Sequence, residues 1–150
     1  MNRRDMLMGA FKIACATPPI TALAVERANA AGAEFGKVVY HLSDSDKVDF
    51  VFGNIRNHYS GMGGPDHVTI ALVVNGLALK AFHLDGAAAD NAKKFEELRN
   101  LGLQPNACIN TMRAQNVTLK DLLPGFTVAE KGGVVRLAEL QSQGYAYLRP

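Results

Sequence analysis

The sequence predicts an α/β fold: a three-layer α/β/α domain built on a five-stranded, mainly parallel sheet. Strand-like and helix-like segments alternate from residue 36 to residue 150, and this alternation is typical of parallel sheets with crossover helices. The run 68–74 (VTIALVV) is almost continuously apolar, as in strands that are buried on both faces. A chain of 150 residues with 48% hydrophobic content suits one globular domain.

The first half of this domain contains two predicted strands and three predicted helices. The β-branched run 36–42 predicts the first strand, and the apolar run 67–75 predicts the second. Between them, apolar residues at helical spacing predict a helix that ends at Gly61: Val48, Val51 or Phe52, Ile55 and Tyr59. After the second strand we expect a short helix over 77–82. A longer one follows over 88–101, with Ala92, Phe95, Leu98 and Leu101 on one face.

The second half contains three shorter predicted strands, over 106–110, 126–129 and 145–148. A helix of one or two turns is predicted over 111–115, and a turn over 121–125. The helix predicted over 134–143 ends at Gly144 and offers apolar residues for packing, namely Val135, Leu137, Ala138 and Leu140.

Residues 1–30 have the three parts of a secretory signal peptide. A charged start with the pair Arg3-Arg4 precedes a moderately apolar stretch to Val25, and Ala28-Asn29-Ala30 fits an A-x-A cleavage site. The arginine pair resembles the twin-arginine export signal of bacteria. We expect residues 1–30 to be removed, residues 31–35 to form a linker, and the mature domain over 36–150 to reside in the periplasm without a membrane span. A disordered amphipathic tail is the alternative.

Charge and cysteine counts change once that segment is removed. Residues 1–30 hold four of the 16 Lys and Arg and two of the 14 Asp and Glu, so 12 of each sign remain. A neutral domain has no basic surface for nucleic acid. Cys15 is lost with the leader, so Cys108 is the only remaining thiol. An intramolecular disulfide and a four-thiolate zinc site are therefore excluded.

Polar groups follow the first three predicted strands, where ligands bind in open α/β sheets. These candidate binding residues are His41, Asn75, Gly76, Asn110 and Thr111. Cys108 is the candidate catalytic residue, because the start of a following helix lowers the pKa of a thiol, and Arg113 adds positive charge one turn on. A single reactive thiol suits sulfur transfer through a persulfide or a mixed disulfide. The alternative is a buried cysteine that packs as a small hydrophobic residue.

The sequence predicts neither a metal site nor a cofactor. The four histidines show no zinc-ligand spacing. The glycine-rich segment 61–64 follows a helix and precedes a strand, which is the reverse of a phosphate-binding loop. His41 is placed to act as an acid or base near Cys108. A metal held by His58 and His67 is a remaining alternative.

Several segments resemble one protein family. These are 37–41 (KVVYH), 73–76 (VVNG), 108–116 (CINTMRAQN), 119–125 (LKDLLPG) and the closing 143–150 (QGYAYLRP), the most specific of them. Together they resemble the DsrE/DsrF-like family, whose members include components of sulfur-oxidation and tRNA-thiolation relays. The resemblance implies an α/β/α fold with five strands, assembly into homotrimers or hexamers, and a cysteine after the third major strand that accepts sulfur as a persulfide. Cys108 occupies that position.

Two departures from the family pattern accompany the resemblance. Relay members act in the cytoplasm with partner proteins, whereas this chain carries an export signal. Many members have an Arg-Gly turn after the cysteine, where this chain has Ala114-Gln115-Asn116. Asparagine tolerates the left-handed conformation that glycine would adopt, so we expect the turn to be kept at Asn116.

Two functions follow as expectations. The first is a periplasmic sulfur carrier or sulfurtransferase with the persulfide on Cys108, which exchanges sulfur with a donor or acceptor protein. The second is a non-catalytic binding or assembly module whose oligomer forms a pocket between subunits.

Overall fold

The computed structural model describes residues 36–150. Its strands are β1 (Gly36–Leu42), β2 (Val68–Val74), β3 (Gln104–Cys108), β4 (Thr127–Ala129) and β5 (Ala146–Leu148). Every neighbouring pair is parallel, in the spatial order β4-β3-β2-β1-β5. The predicted α/β fold with a five-stranded parallel sheet is therefore confirmed. The predicted signal peptide and linker lie outside the described residues.

Four α-helices connect these strands: α1 (Val48–Gly61), α2 (Ala89–Asn100), α3 (Ile109–Ala114) and α4 (Gly133–Ser142). Short 3-10 turns cover Ser45–Lys47, Pro65–His67, Gly76–Phe82 and Leu119–Asp121. Within residues 36–150, no helix has both the length and the apolar character needed to cross a bilayer.

The two faces of the sheet carry cores of different size. The larger core lies under α1, α2 and α3 and includes four aromatic rings in mutual contact, Phe52, Phe82, Phe95 and Phe126. The smaller core lies under α4 alone and consists of Val39, Ala71, Val73, Leu137 and Leu140. Because side chains alternate along a strand, β1 and β2 supply both cores. These strands are buried on both faces, as their apolar sequences predict.

The position of α4 follows from the strand order. Strands β1 to β4 add one after another in the same direction, with their connecting helices on one face. The chain then crosses from one edge of the sheet to the other, where β5 pairs with β1. Since such connections are right-handed, this reversed crossover must run over the opposite face. Helix α4 accordingly contacts β3, β2, β1 and β5.

Three details differ from the sequence-based expectations. Strand β3 ends at Cys108, so Ile109 and Asn110 begin α3 instead of ending the strand. On α2, Leu101 follows the helix and is exposed. On α4, Val135 and Ala138 are exposed because this single helix buries only a narrow strip, formed by Leu137 and Leu140.

The turn after α3 agrees with its prediction. Asn116 has a φ of 59°, the left-handed conformation expected where many DsrE/DsrF-like proteins have glycine. The backbone N–H of Val117 then donates to the carbonyl of Met112, which closes the helix.

Candidate functional site

The carboxyl ends of β3 and β4 form the point where the sheet topology changes direction. After β3 the chain continues into α3 on one face, and after β4 it continues into α4 on the other face. In open α/β sheets a crevice opens at such a switch point, and ligands bind there. Cys108 is the last residue of β3 and caps the start of α3, so its thiol lies at this crevice.

The sulfur of Cys108 is surrounded by hydrogen-bond donors. The backbone N–H of Gly133 donates to Sγ over 3.1 Å. Burial raises the pKa of the thiol. Bonds from the backbone N–H of Thr111, from Gly133, from the Thr111 hydroxyl and from the backbone N–H of Asn110 lower it, and the net result is a pKa below the ordinary value. These donors, and not the expected charge of Arg113, account for the lowering.

A cleft of about 310 Å³ borders the thiol. Five of the predicted site residues line it, namely Asn75, Gly76, Cys108, Asn110 and Thr111. The other lining residues come from the β4–α4 connection: Lys131, Gly132, Gly133, Val134 and Val135. Cys108 keeps 6% of its surface exposed. Five of the predicted site residues therefore lie at one cleft, and the start of α4 lines its other side.

The hydroxyl of Thr111 is oriented by the loop after β2. The backbone N–H of Gly76 donates to Thr111 Oγ1 over 3.0 Å, which leaves the hydroxyl proton to donate to Cys108. Gly76 itself has a φ of 57°, and a Cβ there would lie 3.1 Å from the carbonyl oxygen of Ser43. Its carbonyl accepts a bond of 2.8 Å from Gln115 Nε2. The N–H and the carbonyl of Gly76 are therefore both hydrogen-bonded to α3 or the residue after it, which holds this loop in place.

Sequence reasoning did not identify the two glycines that precede and begin α4. A Cβ on Gly133 would lie 3.2 Å from Cys108 Cβ, which is tighter than most such contacts. Gly132 has a φ of 97°, and a Cβ there would lie 2.9 Å from Asn110 Nδ2. The adjacent glycine pair just before an apolar helical segment was the available sequence signal.

His41 lies behind the cleft and does not line it. Its Nδ1 is 2.8 Å from the hydroxyl of Tyr147, and its Nε2 is 3.2 Å from Asn75 Oδ1. Burial lowers the pKa of His41, so the neutral imidazole is favoured. Both ring nitrogens are occupied, and the ring reaches the Cys108 cleft only through Asn75.

The cleft carries little net charge. Lys131 is the only charged residue among those described that line it, and its Nζ lies 3.1 Å from Glu139 Oε1 farther along α4. The remaining lining residues offer amide groups, a hydroxyl, backbone N–H groups and the apolar side chains of Val134 and Val135. The donors nearest the thiol suit an anionic sulfur species.

The alternative of a metal at His58 and His67 gains no support from the geometry. Nδ1 of His58 is 2.9 Å from the hydroxyl of Tyr40, a bond that ties α1 to β1. Within residues 36–150 no three His, Cys, Asp or Glu side chains are grouped so as to hold a metal ion.

Solved structures of three other proteins share this fold. MTH1491 from Methanobacterium thermoautotrophicum, a protein of unknown function, is 29% identical with a TM-score of 0.68, over 77% of this chain and 99% of its own. BT1422 from Bacteroides thetaiotaomicron, a conserved protein of unknown function, is 20% identical with a TM-score of 0.58, over 80% of this chain and 99% of its own.

The ychN protein from E. coli is 14% identical with a TM-score of 0.58, over 77% of this chain and 98% of its own. These structures have the same fold, and the five-stranded architecture fits the DsrE/DsrF-like fold. No protein-family model matches the chain, and neither does any curated protein.

Proposed function

We propose that this protein is an exported DsrE/DsrF-like protein that accepts sulfane sulfur as a persulfide on Cys108. The observation that supports this function best is the hydrogen bond from the Gly133 N–H to Cys108 Sγ, beside the Thr111 and Asn110 donors that lower the pKa of the thiol. A cysteine that packs only as a small hydrophobic residue needs no such donors, since its thiol is a weak acceptor. Donors directed at sulfur stabilise the thiolate, which is the nucleophile in sulfur transfer.

The transfer step balances without a cofactor. The Cys108 thiolate attacks the outer sulfur of a donor persulfide, R–S–SH. A bond forms between Sγ and that outer sulfur, and the donor's S–S bond breaks, with its electron pair leaving on R–S⁻. The proton first stays with the transferred sulfur and is then released to solvent, which leaves the Cys108 persulfide as an anion. The donors around Sγ hold the thiolate before the attack.

Family membership and export are further parts of the proposal. MTH1491 supports a common origin through 29% identity along 99% of its length, and the closing segment QGYAYLRP supports the family. Residues 1–30, with Arg3-Arg4 and Ala28-Asn29-Ala30, support a periplasmic location of the mature domain.

The alternative function is a binding or assembly module whose pocket is completed between subunits. It is favoured by apolar side chains at the mouth of the cleft. Val134 is 72% exposed there and Val135 is exposed beside it. Leu77, also exposed, lines a neighbouring cleft that shares Gly76 with this one. A trimer or hexamer that covered this mouth would bury them. Analytical ultracentrifugation of the mature protein and of Val134→Glu tests this: a matching monomeric state in both would contradict assembly through this surface.

The sulfur-carrier function is tested by treating the purified mature protein with a small-molecule persulfide. Mass spectrometry is expected to find one added sulfur on the peptide that contains Cys108, removable by a thiol reductant. Cys108→Ser is expected to gain none. A wild-type protein that gains no sulfur, and whose thiol resists iodoacetamide until it is unfolded, would overturn the proposal in favour of a structural cysteine.

Export is tested separately by expressing the full chain in a bacterium with a twin-arginine pathway. We expect a periplasmic protein that begins at residue 31. Replacing Arg3 and Arg4 by lysine is expected to retain it, uncleaved, in the cytoplasm. Cytoplasmic location of the unchanged chain would contradict this part of the proposal.

A further inference from the structure

Three side chains form a hydrogen-bonded row that ends at the Cys108 cleft. The row starts on the edge strand β5, where the hydroxyl of Tyr147 lies 2.8 Å from His41 Nδ1 on β1. It continues from His41 Nε2 to Asn75 Oδ1, 3.2 Å away at the end of β2. Asn75 is the last member and lines the cleft together with Cys108.

The chemistry of the groups sets the direction of each bond in this row. An amide oxygen only accepts hydrogen bonds, so His41 Nε2 carries the hydrogen and donates to Asn75 Oδ1. In the neutral ring Nδ1 then has no hydrogen and accepts from the hydroxyl of Tyr147. Burial lowers the pKa of His41, which favours this neutral form. The hydroxyl of Tyr147 thereby occupies Nδ1 and orients the His41 ring, whose Nε2–H holds the oxygen of Asn75.

The oxygen of the Asn75 amide is bonded to His41. Its NH₂ group therefore points away from His41. That side faces Gly133, where an added Cβ would lie 3.5 Å from Asn75 Nδ2 and 3.2 Å from Cys108 Cβ. No acceptor for Asn75 Nδ2 is found in the chain from residue 36 to residue 150. An oriented donor without a partner therefore borders the same small space as the thiol.

We propose that the row Tyr147–His41–Asn75 fixes the Asn75 amide so that its NH₂ group binds the outer, transferable sulfur of a Cys108 persulfide. This inference rests on the proposed sulfur-carrier function and assigns a role within it. Asn75 touches the transferred sulfur, whereas His41 and Tyr147 are positioning residues.

The geometry separates the two sulfur atoms of the persulfide. Sγ is already held by Gly133 and Thr111. The outer sulfur is bonded to Sγ at about 2.05 Å, and the cleft leaves space for it beside Asn75. The thiolate before loading and the outer sulfur after loading thus accept hydrogen bonds from different residues. A mutation can therefore affect one state without the other.

The first test compares sulfur retention in wild type, Asn75→Leu and Asn75→Asp. Each protein is loaded with a small-molecule persulfide and the donor is removed. A small thiol is then added as the sulfur acceptor, which attacks the outer sulfur and releases the Cys108 thiolate, and the persulfide remaining on Cys108 is followed by mass spectrometry. Loss is expected to be roughly tenfold faster in Asn75→Leu, the effect of one hydrogen bond to an anion. Asn75→Asp keeps an acceptor for His41 but directs a carboxylate at the sulfur, so its loss is expected to be faster still.

Two controls separate this role from a general effect on the cleft. Asn57→Leu, on the exposed side of α1, is expected to retain sulfur like the wild type. Alkylation of the unloaded thiol by iodoacetamide is expected to stay within about twofold in Asn75→Leu, because the donors to Sγ come from other residues. If the alkylation rate and the retention of sulfur both fall in Asn75→Leu, then Asn75 shapes the cleft as a whole. This outcome would overturn the inference.

The positioning role is tested by NMR of ¹⁵N-labelled protein. The side-chain amide resonances of Asn75 are expected to shift when wild-type Cys108 is loaded. Tyr147→Phe removes the bond that orients the His41 ring and is expected to lose that shift. Tyr145→Phe, two residues earlier, is the matched control and is expected to keep it.

The outcomes distinguish the two proposals. A wild-type protein that takes up no sulfur overturns the sulfur-carrier function, and the assigned role of Asn75 falls with it. A wild type that loads normally while both Asn75 variants retain sulfur equally well overturns only the present inference. So does an Asn75 amide whose resonances do not move on loading.

Discussion

The backbone N–H of Gly133 donates a hydrogen bond to Cys108 Sγ over 3.1 Å, which joins the first residue of α4 to the last residue of β3. The N–H groups in the first turn of a helix have no partner within the helix. One of them is satisfied here by a thiol instead of a capping side chain or water. The candidate nucleophile is therefore tied to the helix that crosses the sheet.

Gly133→Ala is expected to block access to Cys108 without unfolding the protein. The new methyl group would lie 3.2 Å from Cys108 Cβ and 3.5 Å from Asn75 Cβ, inside the cleft. We expect iodoacetamide alkylation of the native thiol to fall by about fivefold or more, while the free energy of unfolding changes by less than about 1 kcal/mol. Alkylation kinetics and urea titration measure the two quantities.

Gly53→Ala serves as the matched control for that substitution. Gly53 lies within α1, and an added Cβ meets nothing within 4 Å. Alanine is expected to stabilise the helix by about 0.5–1 kcal/mol and to leave alkylation unchanged. Equal alkylation of Gly133→Ala and wild type would show that the cleft is not the route to the sulfur.

Thr111→Val is expected to make Cys108 less reactive near neutral pH. The hydroxyl of Thr111 is one of the donors that lower the pKa of Cys108, and valine has nearly the same shape without it. The midpoint of alkylation rate against pH is expected to move upward, and the rate near pH 7 to fall roughly two- to tenfold. Thr111→Ser restores the donor and is expected to restore the profile. Identical profiles for valine and threonine would contradict this role of the hydroxyl.

His41 is expected to make stability depend on pH. Burial lowers its pKa in the folded protein, so the unfolded chain binds a proton first as the pH falls. The free energy of unfolding should therefore decrease below about pH 6.5, the ordinary histidine value, and continue to decrease down to the lowered pKa. Urea titrations between about pH 7 and pH 5 should show a larger loss for wild type than for His41→Gln. Parallel losses would contradict this assignment.

Phe82→Ala is expected to be strongly destabilising. The ring of Phe82 is 1% exposed and meets those of Phe95 and Phe126 edge-on, at 5.2 Å in each case. Removing it leaves a cavity in the larger core, for which we expect a loss of about 3–5 kcal/mol in the free energy of unfolding. Phe50→Ala is the control, since this side chain is 54% exposed, and its cost should stay below about 1 kcal/mol. Similar costs for both would contradict the packing described.

Local patterns were sufficient to predict the order of elements and most of the site. The spacing of Val48, Val51, Ile55 and Tyr59 marks the buried side of α1, because helical periodicity is a property of neighbouring residues. Ile109 was assigned to the wrong element, since a β-branched residue next to a short strand fits either state. Five predicted residues meet at one cleft because parallel strands end at the same edge.

Other features depend on which strands lie at the edges of the sheet. The sequence does not reveal that β4 and β5 lie at opposite edges, and only that arrangement carries α4 across the second face. It explains why Val135 is exposed, although the helical pattern suggested packing, and why His41 bonds to Tyr147 on the last strand instead of lining the cleft.

The sequence by itself determined the fold class, the succession of strands and helices, and the place of Cys108 at the end of the third strand. Hydrophobic periodicity, turn residues and cysteine count are all readable within a few neighbouring residues. The tertiary structure alone decided that Gly133 donates to Cys108 and that Asn75 directs its amide toward the same space. Gly133 and Cys108 lie 25 positions apart, and only the crossing of α4 over the sheet brings them within hydrogen-bonding distance.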